Sequence, residues 1–249
     1  ISMAYGINWI QRELANRNRN YGLAIYFLLT GITIFTFLSN LSYSNKRDNY
    51  IVLDFAHNLF KTASANSILV SEGDSVSGPL WYLQSVGQRE DVIIIDANLL
   101  TLDWYVENMN KRYPDVVNNE LIKIRGMDRD SFKEERLKWL IDNNIHKKNI
   151  YLSIDTAEDD VNRLNLFPFG LTYKVIDNKT TDSKELLIAN GILWDSYTTR
   201  GLERKEEYSF QVNTIIKFYS IMLNNLGIFS FVSGDKYSAV RYFERAVSI

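Results

Sequence analysis

A long run without charged residues constrains this chain more than any other feature. No side chain from Asn20 to Asn45 is charged, and Tyr21 to Leu41 (YGLAIYFLLTGITIFTFLSNL) is almost continuously apolar. A helix of about 20 such residues crosses a hydrocarbon layer about 30 Å thick. Tyr21 and Tyr43 stand where interfacial aromatic side chains belong. The run predicts one transmembrane helix over residues 20–45 in a lipid bilayer. The alternative is a buried helix of a soluble core.

The flanks of this run carry a small excess of basic residues on the N-terminal side. Arg12, Arg17 and Arg19 precede the run, and Lys46 and Arg47 follow it. A bias this small does not orient a membrane span. Residues 1–19 are interpreted as the end of an upstream loop. Because the chain opens on Ile1, we expect it to be part of a longer protein whose chemistry lies upstream.

Composition excludes several classes of function. The 28 basic and 30 acidic residues give a formal charge of -2, which supplies no electrostatic footprint for nucleic acid. There is no cysteine, so a disulfide framework and a thiolate nucleophile are both excluded. The two histidines cannot form a zinc site by themselves. We expect no metal and no cofactor.

The middle of the chain alternates between strand and helix patterns. The segments with strand character are Ser67–Val70, Asp91–Asp96, Asn149–Ile154 and Gly170–Ile176. The segments with helical character are Tyr50–Thr62, a helix opened by Pro79, Leu102–Tyr113 and Ser131–Asn144 with a capping box at Ser131 and Glu134. Apolar strands that alternate with helices indicate a sheet covered on both faces. We therefore expect a Rossmann-like three-layer α/β domain over residues 48–180, with a parallel or mixed sheet.

The last part of the chain, residues 184–249, contains only helical patterns, at Leu186–Tyr197 and Gln211–Phe231. From about residue 220, seven residues fall at the spacings of a tetratricopeptide repeat: Leu226, Gly227, Gly234, Asp235, Ala239, Phe243 and Ala246. Leu223 and Ser230 replace the usual tryptophan and tyrosine. Because one repeat cannot bury its own apolar face, we expect it to stack on the preceding helices or on further repeats. We favour further repeats, and protein partners bound by the repeat helices.

Three of the predicted strands end close to an acidic residue. Ligands of open α/β sheets bind beyond the carboxyl ends of the strands. A crevice there would hold a cation, a sugar or a cationic group. Its candidate residues are Glu72, Asp74, Ser75, Asp96, Asn98 and Asp155. The alternative is that these residues are ordinary helix caps, as the spacing from Asp155 to Glu158 also allows.

Two further features of this region have both a structural and a functional interpretation. Trp81 and Trp104 lie near the starts of helices that follow strands, where they either pack against the core or stack on a sugar ring. Gly73-Asp74-Ser75 is similar to the nucleophile block of GDS-type esterases. An esterase needs a histidine base. The chain offers only His146, and His57 with Asp54, which precede the serine.

The order of these segments resembles that in a family of polytopic bacterial membrane proteins of unknown function. These are related to eukaryotic transmembrane protein O-mannosyltransferases of the GT-C superfamily. After the membrane helix come DFAHNLF, NSILVSEGD, PLWYLQSVGQREDVIIIDANLL and LDWYVENM. The family usually has GDND where this chain has Gly73-Asp74-Ser75-Val76. The resemblance covers Tyr21–Tyr113 and, more loosely, the rest, and tetratricopeptide tails are common in the family.

The resemblance implies transfer of a sugar from a lipid-linked donor to an acceptor outside the membrane. An upstream multi-span body with an essential acid would carry out the chemistry, so no catalytic residue is assigned to this chain. The soluble part would lie on the extracytoplasmic side of a bacterial inner membrane and bind the acceptor protein or glycan as an accessory domain. The alternatives are a membrane-tethered interaction module with a tetratricopeptide surface, and an esterase.

Overall fold

The structure is a computed structural model that divides the chain into two compact units, Ile1–Asn49 and Tyr50–Ile249. It describes residues 5–6, 8–9, 12–13, 19–44, 47, 49–125, 128–160, 164–177, 183–202 and 208–249. The side chains of Tyr21 and Tyr43, and all of Arg17 and Lys46, lie outside the described part, so their predicted interfacial positions are not addressed.

The first unit contains helix α1, Arg19–Ser44. Its apolar stretch, Leu23–Leu41, is long enough to cross a membrane, and none of it is buried by the protein. Thr33 and Thr36 donate their hydroxyl protons to the carbonyl oxygens of Leu29 and Ile32, one turn earlier. Polar side chains in a hydrocarbon layer need partners within the protein, and these two find them on their own helix.

The second unit contains a five-stranded sheet in the order β2-β1-β3-β5-β4. The strands are β1 (Ile68–Ser71), β2 (Ile93–Asp96), β3 (Ile150–Leu152), β4 (Leu166–Phe169) and β5 (Thr172–Val175). β1 pairs in parallel with β2 and β3, whereas β5 pairs antiparallel with both β3 and β4. The prediction of an α/β fold with a mixed sheet is confirmed. The edge strand β4 was not predicted, because Pro168 interrupts its pattern; proline is tolerated at a sheet edge.

Helices surround the sheet. Their bounds are α2 (Ile51–Thr62), α3 (Asp74–Ser85), a 3₁₀ helix (Asn98–Thr101), α4 (Asp103–Arg112), α5 (Asn119–Lys123), α6 (Arg129–Asn144), α7 (Ile154–Asp160), α8 (Ser183–Asp195), α9 (Phe210–Val232) and α10 (Lys236–Ser248).

Three helix starts differ from the sequence predictions by two residues or more. α8 begins at Ser183, three residues before the predicted Leu186. α3 begins at Asp74 and contains Pro79 at its sixth position, so the helix lacks the backbone hydrogen bond that this residue would otherwise donate. α6 begins two residues before the predicted Ser131, because Asp128 and Ser131 form the capping box.

Alternate residues of the strands face two separate cores. Leu69, Ile94 and Tyr151 pack with α2, α3 and α9 on one face. Ile68, Val70, Ile93, Ile95, Ile150 and Leu152 pack with α4 and α6 on the other. The crossover from β1 to β2 thus lies on the opposite face from the crossover from β2 to β3. Because the two crossovers also run in opposite directions across the sheet, they have the same hand.

Helices α9 and α10 form an antiparallel hairpin. A Cβ atom on Gly227 would lie only 2.6 Å from the ring of Phe243, so the two helices approach closely because this position has no side chain. Gly234 turns the chain with φ +87°, and the carboxylate of Asp235 caps α10 by accepting from the backbone N–H of Ser238. α9 is also long and apolar enough to cross a membrane, but 44% of its most apolar 18-residue stretch is buried in this unit.

Candidate functional site

The carboxyl ends of β1, β2 and β3 lie at one edge of the sheet. Ser71 is in register with Asp96, and Val70 with Leu152. The strand order reverses between β1 and β3, since β1 leads to β2 on one side and β2 leads to β3 on the other. Doubly wound sheets bind ligands at such a reversal. This edge, which we call the strand-end crevice, is therefore the first candidate site.

Asp96 lies at this edge, but its side chain points into the protein. It is only 4% exposed. One carboxylate oxygen accepts a hydrogen bond of 2.5 Å from the Ser77 hydroxyl, which lies 2.9 Å from that of Ser71. The other oxygen accepts from the backbone N–H of Leu99 at 3.2 Å. Asp96 thus joins α3 to the end of β2, and its oxygens already have protein donors.

Glu72 forms a half-buried ion pair across the edge. Its Oε1 lies 3.1 Å from Nζ of Lys133 on α6, and the two side chains are 17% and 12% exposed. Oε2 is buried and accepts no hydrogen bond from the part of the chain that the structure describes. Lys133 was missed from sequence, because the contact joins residues 61 positions apart. No local spacing signals such a pair.

The other predicted acids are arranged differently. Asp74 is the exposed first residue of α3, and Asp155 is a half-buried residue in the first turn of α7. Ser75 and Asn98 are half-buried. Among the residues that the structure describes, no group of three or more His, Asp or Glu side chains is placed to hold a metal ion. The side-chain contacts described for the acids at this edge are two separate pairs, Glu72 with Lys133 and Asp96 with Ser77.

Aromatic side chains flank the crevice on the side of α4. The Tyr105 hydroxyl accepts a 3.0 Å hydrogen bond from the backbone N–H of Asp96, and burial raises the pKa of Tyr105 to about 12. Trp104 packs edge-on against Tyr105 with ring centroids 5.9 Å apart, yet 56% of it is exposed. Trp81 on α3 is 37% exposed. Trp104 therefore combines a fixed position with a large free surface, as stacking on a ligand requires.

A buried arginine supports this side of the crevice. Arg136 on α6 is fully buried and donates to the carbonyl oxygens of Leu100 (2.6 Å) and Ile122 (3.1 Å). It also pairs with Asp103 at 2.6 Å, and its guanidinium lies 4.1 Å from the ring centre of Phe132. Arg136 thus fixes the start of α4, where Trp104 lies. Arg136 was not predicted from the sequence, because the helical pattern of α6 does not distinguish an arginine that faces the core from one that faces water.

The residues that an esterase would use are engaged elsewhere. Both carboxylate oxygens of Asp54 accept from Arg200, at 2.6 and 3.0 Å. His146 lies 2.9 Å from Asp177 and is 72% exposed. Neither contact includes Ser75.

Two comparisons with known proteins bear on this region. A family model described as TMEM260-associated domain 2 matches residues 52–141. This segment runs from α2 into α6. It therefore includes β1, β2, Glu72, Asp96, Trp104, Lys133 and Arg136, whereas β3 to β5 and α8 to α10 lie outside it.

The chain is also similar to the mouse (Mus musculus) protein named Protein O-mannosyl-transferase TMEM260. The two are 33% identical over 79 residues, which is 31% of this chain and 11% of the relative. The chain thus spans about a tenth of the relative's length. No solved structure matches the chain. Together with the exposed apolar helix α1, the similarity indicates a membrane-associated chain with a glycosyltransferase-associated domain.

Proposed function

We propose that the chain is the accessory, extracytoplasmic C-terminal domain of a membrane glycosyltransferase. The parent enzyme transfers a sugar from a lipid-linked donor to a protein or glycan acceptor, and this part binds the acceptor. The observation that carries the proposal is the match of residues 52–141 to TMEM260-associated domain 2. The similarity to a protein O-mannosyl-transferase supports the reaction class. The resemblance to bacterial polytopic proteins supports a bacterial inner membrane.

The strand-end crevice is the part of the domain that we assign to the acceptor. Trp104 offers an exposed ring beside polar groups, which is the combination that sugar rings and peptide side chains use. Glu72 has one buried oxygen that accepts no hydrogen bond from the described residues, so a hydroxyl or amide of the acceptor would satisfy it. Asp74, Ser75, Asn98 and Asp155 form the polar rim of this proposed site.

Two features of the fold extend the proposal. The parallel strands β1 to β3, with same-handed crossovers on both faces, support a Rossmann-like relationship. The α9–α10 hairpin supports a tetratricopeptide-like repeat, because Gly227 and Phe243 make the close helix contact that the repeat's small residue allows.

The experiment has two parts. The chain alone in detergent, supplied with a polyprenyl-phosphate sugar and acceptor, is expected to transfer nothing, and measurable turnover would refute the accessory role. Acceptor glycopeptide binding is then measured for the chain and for Trp104→Ala, which should bind at least about tenfold more weakly if stacking carries the contact. Tyr82→Ala is the matched control, because Tyr82 is 61% exposed on the neighbouring helix α3 and is outside the proposed site. Equal losses in both variants would contradict the assignment.

A second candidate function is a membrane-tethered interaction module. The observation that favours it is the row of exposed apolar side chains on α10, Tyr237, Val240 and Val247. Any sequence that the gene encodes before Ile1 would separate the two candidates. If that upstream sequence contains a series of hydrophobic spans with an acidic early loop, it supports the transferase. If it contains a soluble domain, it supports the membrane-tethered interaction module. The esterase alternative is tested by Ser75→Ala, since any hydrolysis that survives this change excludes Ser75 as nucleophile.

A further inference from the structure

A cavity that shares no lining residue with the strand-end crevice lies between α2 and two loops. Its volume is about 320 Å³, and its lining includes Asp54, His57 and Lys61 of α2, Gln88 and Arg89 of one loop, and Thr198 and Arg200 of the other. We call it the basic pocket. All of its lining belongs to the second unit of the fold. Its size falls at the lower end of small-ligand sites.

The charges around the basic pocket do not cancel. Arg200 is paired with Asp54 and Arg89 with Asp91, so two of the three cations have a carboxylate partner. Lys61 donates one hydrogen bond, of 2.6 Å, to the carbonyl oxygen of Ser196, and among the described residues it has no acidic partner. One full positive charge therefore remains at the pocket. A concave surface of this sign concentrates anions.

The cationic side chains are held at fixed positions. Arg89 donates to the carbonyl oxygens of Phe60 and Ala63 at the end of α2. The buried Asn58 side chain joins α2 to Thr198 through two hydrogen bonds, one of 2.7 Å and one of 3.1 Å. Both loops are thus anchored to the helix that carries His57 and Lys61. An anion would meet a preorganised set of donors and would not have to order them.

Several donors at the basic pocket remain available. An ammonium group has three N–H donors, and Lys61 uses one of them. Arg200 binds Asp54 through Nε and Nη2, which leaves its Nη1 edge open. Within the described residues, the His57 imidazole makes no hydrogen bond, and the Gln88 amide and Thr198 hydroxyl add further donors. Donors that converge from three chain segments suit a tetrahedral anion with several acceptor oxygens better than a planar carboxylate.

We propose that the basic pocket binds a phosphate group, with Lys61 and Arg200 contacting its oxygens and His57 lying against it. The phosphate belongs either to a soluble ligand or to a lipid headgroup. The site is separate from the crevice assigned to the acceptor, so it does not rest on the proposed transferase function.

The two histidines of the chain allow a direct test. The full chain, with ¹³C-labelled histidine, is placed in nanodiscs of phosphatidylcholine, and the ring resonances are followed by NMR while inorganic phosphate is added at constant ionic strength. His57 is expected to shift and saturate, whereas His146, which is exposed beside Asp177, serves as the internal control. A His146→Gln variant assigns the two signals.

A variant and its matched control then locate the contact. Lys61→Met should weaken phosphate binding at least about tenfold, the loss expected for one charge-assisted hydrogen bond. Lys138→Met removes an exposed lysine from α6, and binding should be unchanged. If Lys61→Met lowers the thermal midpoint of unfolding, the variant is destabilised and no longer isolates the contact. A competition experiment, in which sulfate is added to the unchanged chain with bound phosphate, then takes the place of this variant. Sulfate should displace phosphate from His57, whereas chloride at equal ionic strength should not.

The source of the phosphate is distinguished by a second set of nanodiscs. A His57 shift in discs that contain phosphatidic acid, without added phosphate, identifies a lipid headgroup as ligand. A shift with inorganic phosphate only identifies a soluble ligand. The proposal is overturned if His57 shifts in neither arm. It is also overturned if His57 and His146 shift alike, or if Lys61→Met and Lys138→Met bind phosphate equally well.

Discussion

The contact between Gly227 and Phe243 gives a prediction whose sign can be worked out from the structure. In Gly227→Ala, the new methyl group would lie 2.6, 2.7 and 2.9 Å from three atoms of the Phe243 ring. Carbon atoms normally approach no closer than about 3.5 Å, so the ring and the helix must separate by nearly 1 Å. All three atoms belong to one rigid ring, which cannot fold away from the methyl group as a flexible side chain could.

Two effects of this substitution oppose each other. Overpacking costs about 1–3 kcal/mol, and replacing glycine by alanine inside a helix gains about 1 kcal/mol. Because the clash includes three ring atoms, we expect the upper part of the cost range and a net loss of about 1–2 kcal/mol. For a folded unit of this size that corresponds to a thermal midpoint lower by about 2–8 °C.

The assay is thermal unfolding of the full chain in detergent, followed by near-ultraviolet circular dichroism, which reports tertiary packing. Gly191→Ala in α8 is the matched control, because a Cβ atom there would meet only the Tyr242 hydroxyl at 4.0 Å. It should raise the midpoint through helix propensity alone. In a Phe243→Leu background, Gly227→Ala should lose most of its penalty. If Gly227→Ala stabilises the chain as Gly191→Ala does, the close helix contact is refuted.

Three further predictions concern charge and burial. Arg136→Met removes the donor to the buried carbonyl oxygen of Leu100, whereas the carbonyl oxygen of Ile122 keeps Arg125 as a donor. Urea unfolding should therefore show a loss of about 1–3 kcal/mol, whereas Lys138→Met stays within about 0.5 kcal/mol. The Arg89 side chain lowers the pKa of Asp91 from 3.8 to about 2, so this pair stabilises the fold above about pH 4 and the stabilisation is lost as the pH falls towards 2. Asp91→Asn should flatten the acid limb of a stability-against-pH curve, and an unchanged limb would contradict the pairing. Burial raises the pKa of Tyr105 from 10.0 to about 12, so its contribution is present below pH 10 and is lost as the pH rises towards 12. Tyr105→Phe should reduce the alkaline slope of the same curve, and an equal slope would count against the buried hydroxyl.

Much of the local structure could be predicted from the sequence, because it depends on neighbours in the chain. Three kinds of element have a local pattern of apolar residues that can be recognised in the sequence. They are the membrane-length helix, the long helices and the strands β1, β2, β3 and β5. The errors occurred where local signals conflict. Pro79 is a common first residue of a helix, but α3 begins five residues earlier, and Pro168 hides β4.

The candidate sites were only partly predictable. Asp96 and Glu72 were identified as strand-end residues, but their partners were not, since Ser77 and Lys133 come from other elements. The basic pocket had no sequence signal. Its cations, Lys61, Arg89 and Arg200, are separated by up to 139 positions in the sequence. Taken one at a time, each would be predicted to be an ordinary solvent-exposed side chain.

The apolar run from Tyr21 to Leu41 is the feature that the sequence determines by itself. A helix in lipid satisfies its own backbone, and Thr33 and Thr36 even find their partners one turn away, so length and composition decide the structure of α1. The second unit is different. Contacts between residues distant in the chain decide which carboxylates face water and which are buried and hydrogen-bonded within the protein. Only the tertiary structure turned Asp96 inward, paired Glu72 with Lys133 and gathered an unbalanced charge at Lys61, because burial and pairing energies are set by neighbours that no local pattern names.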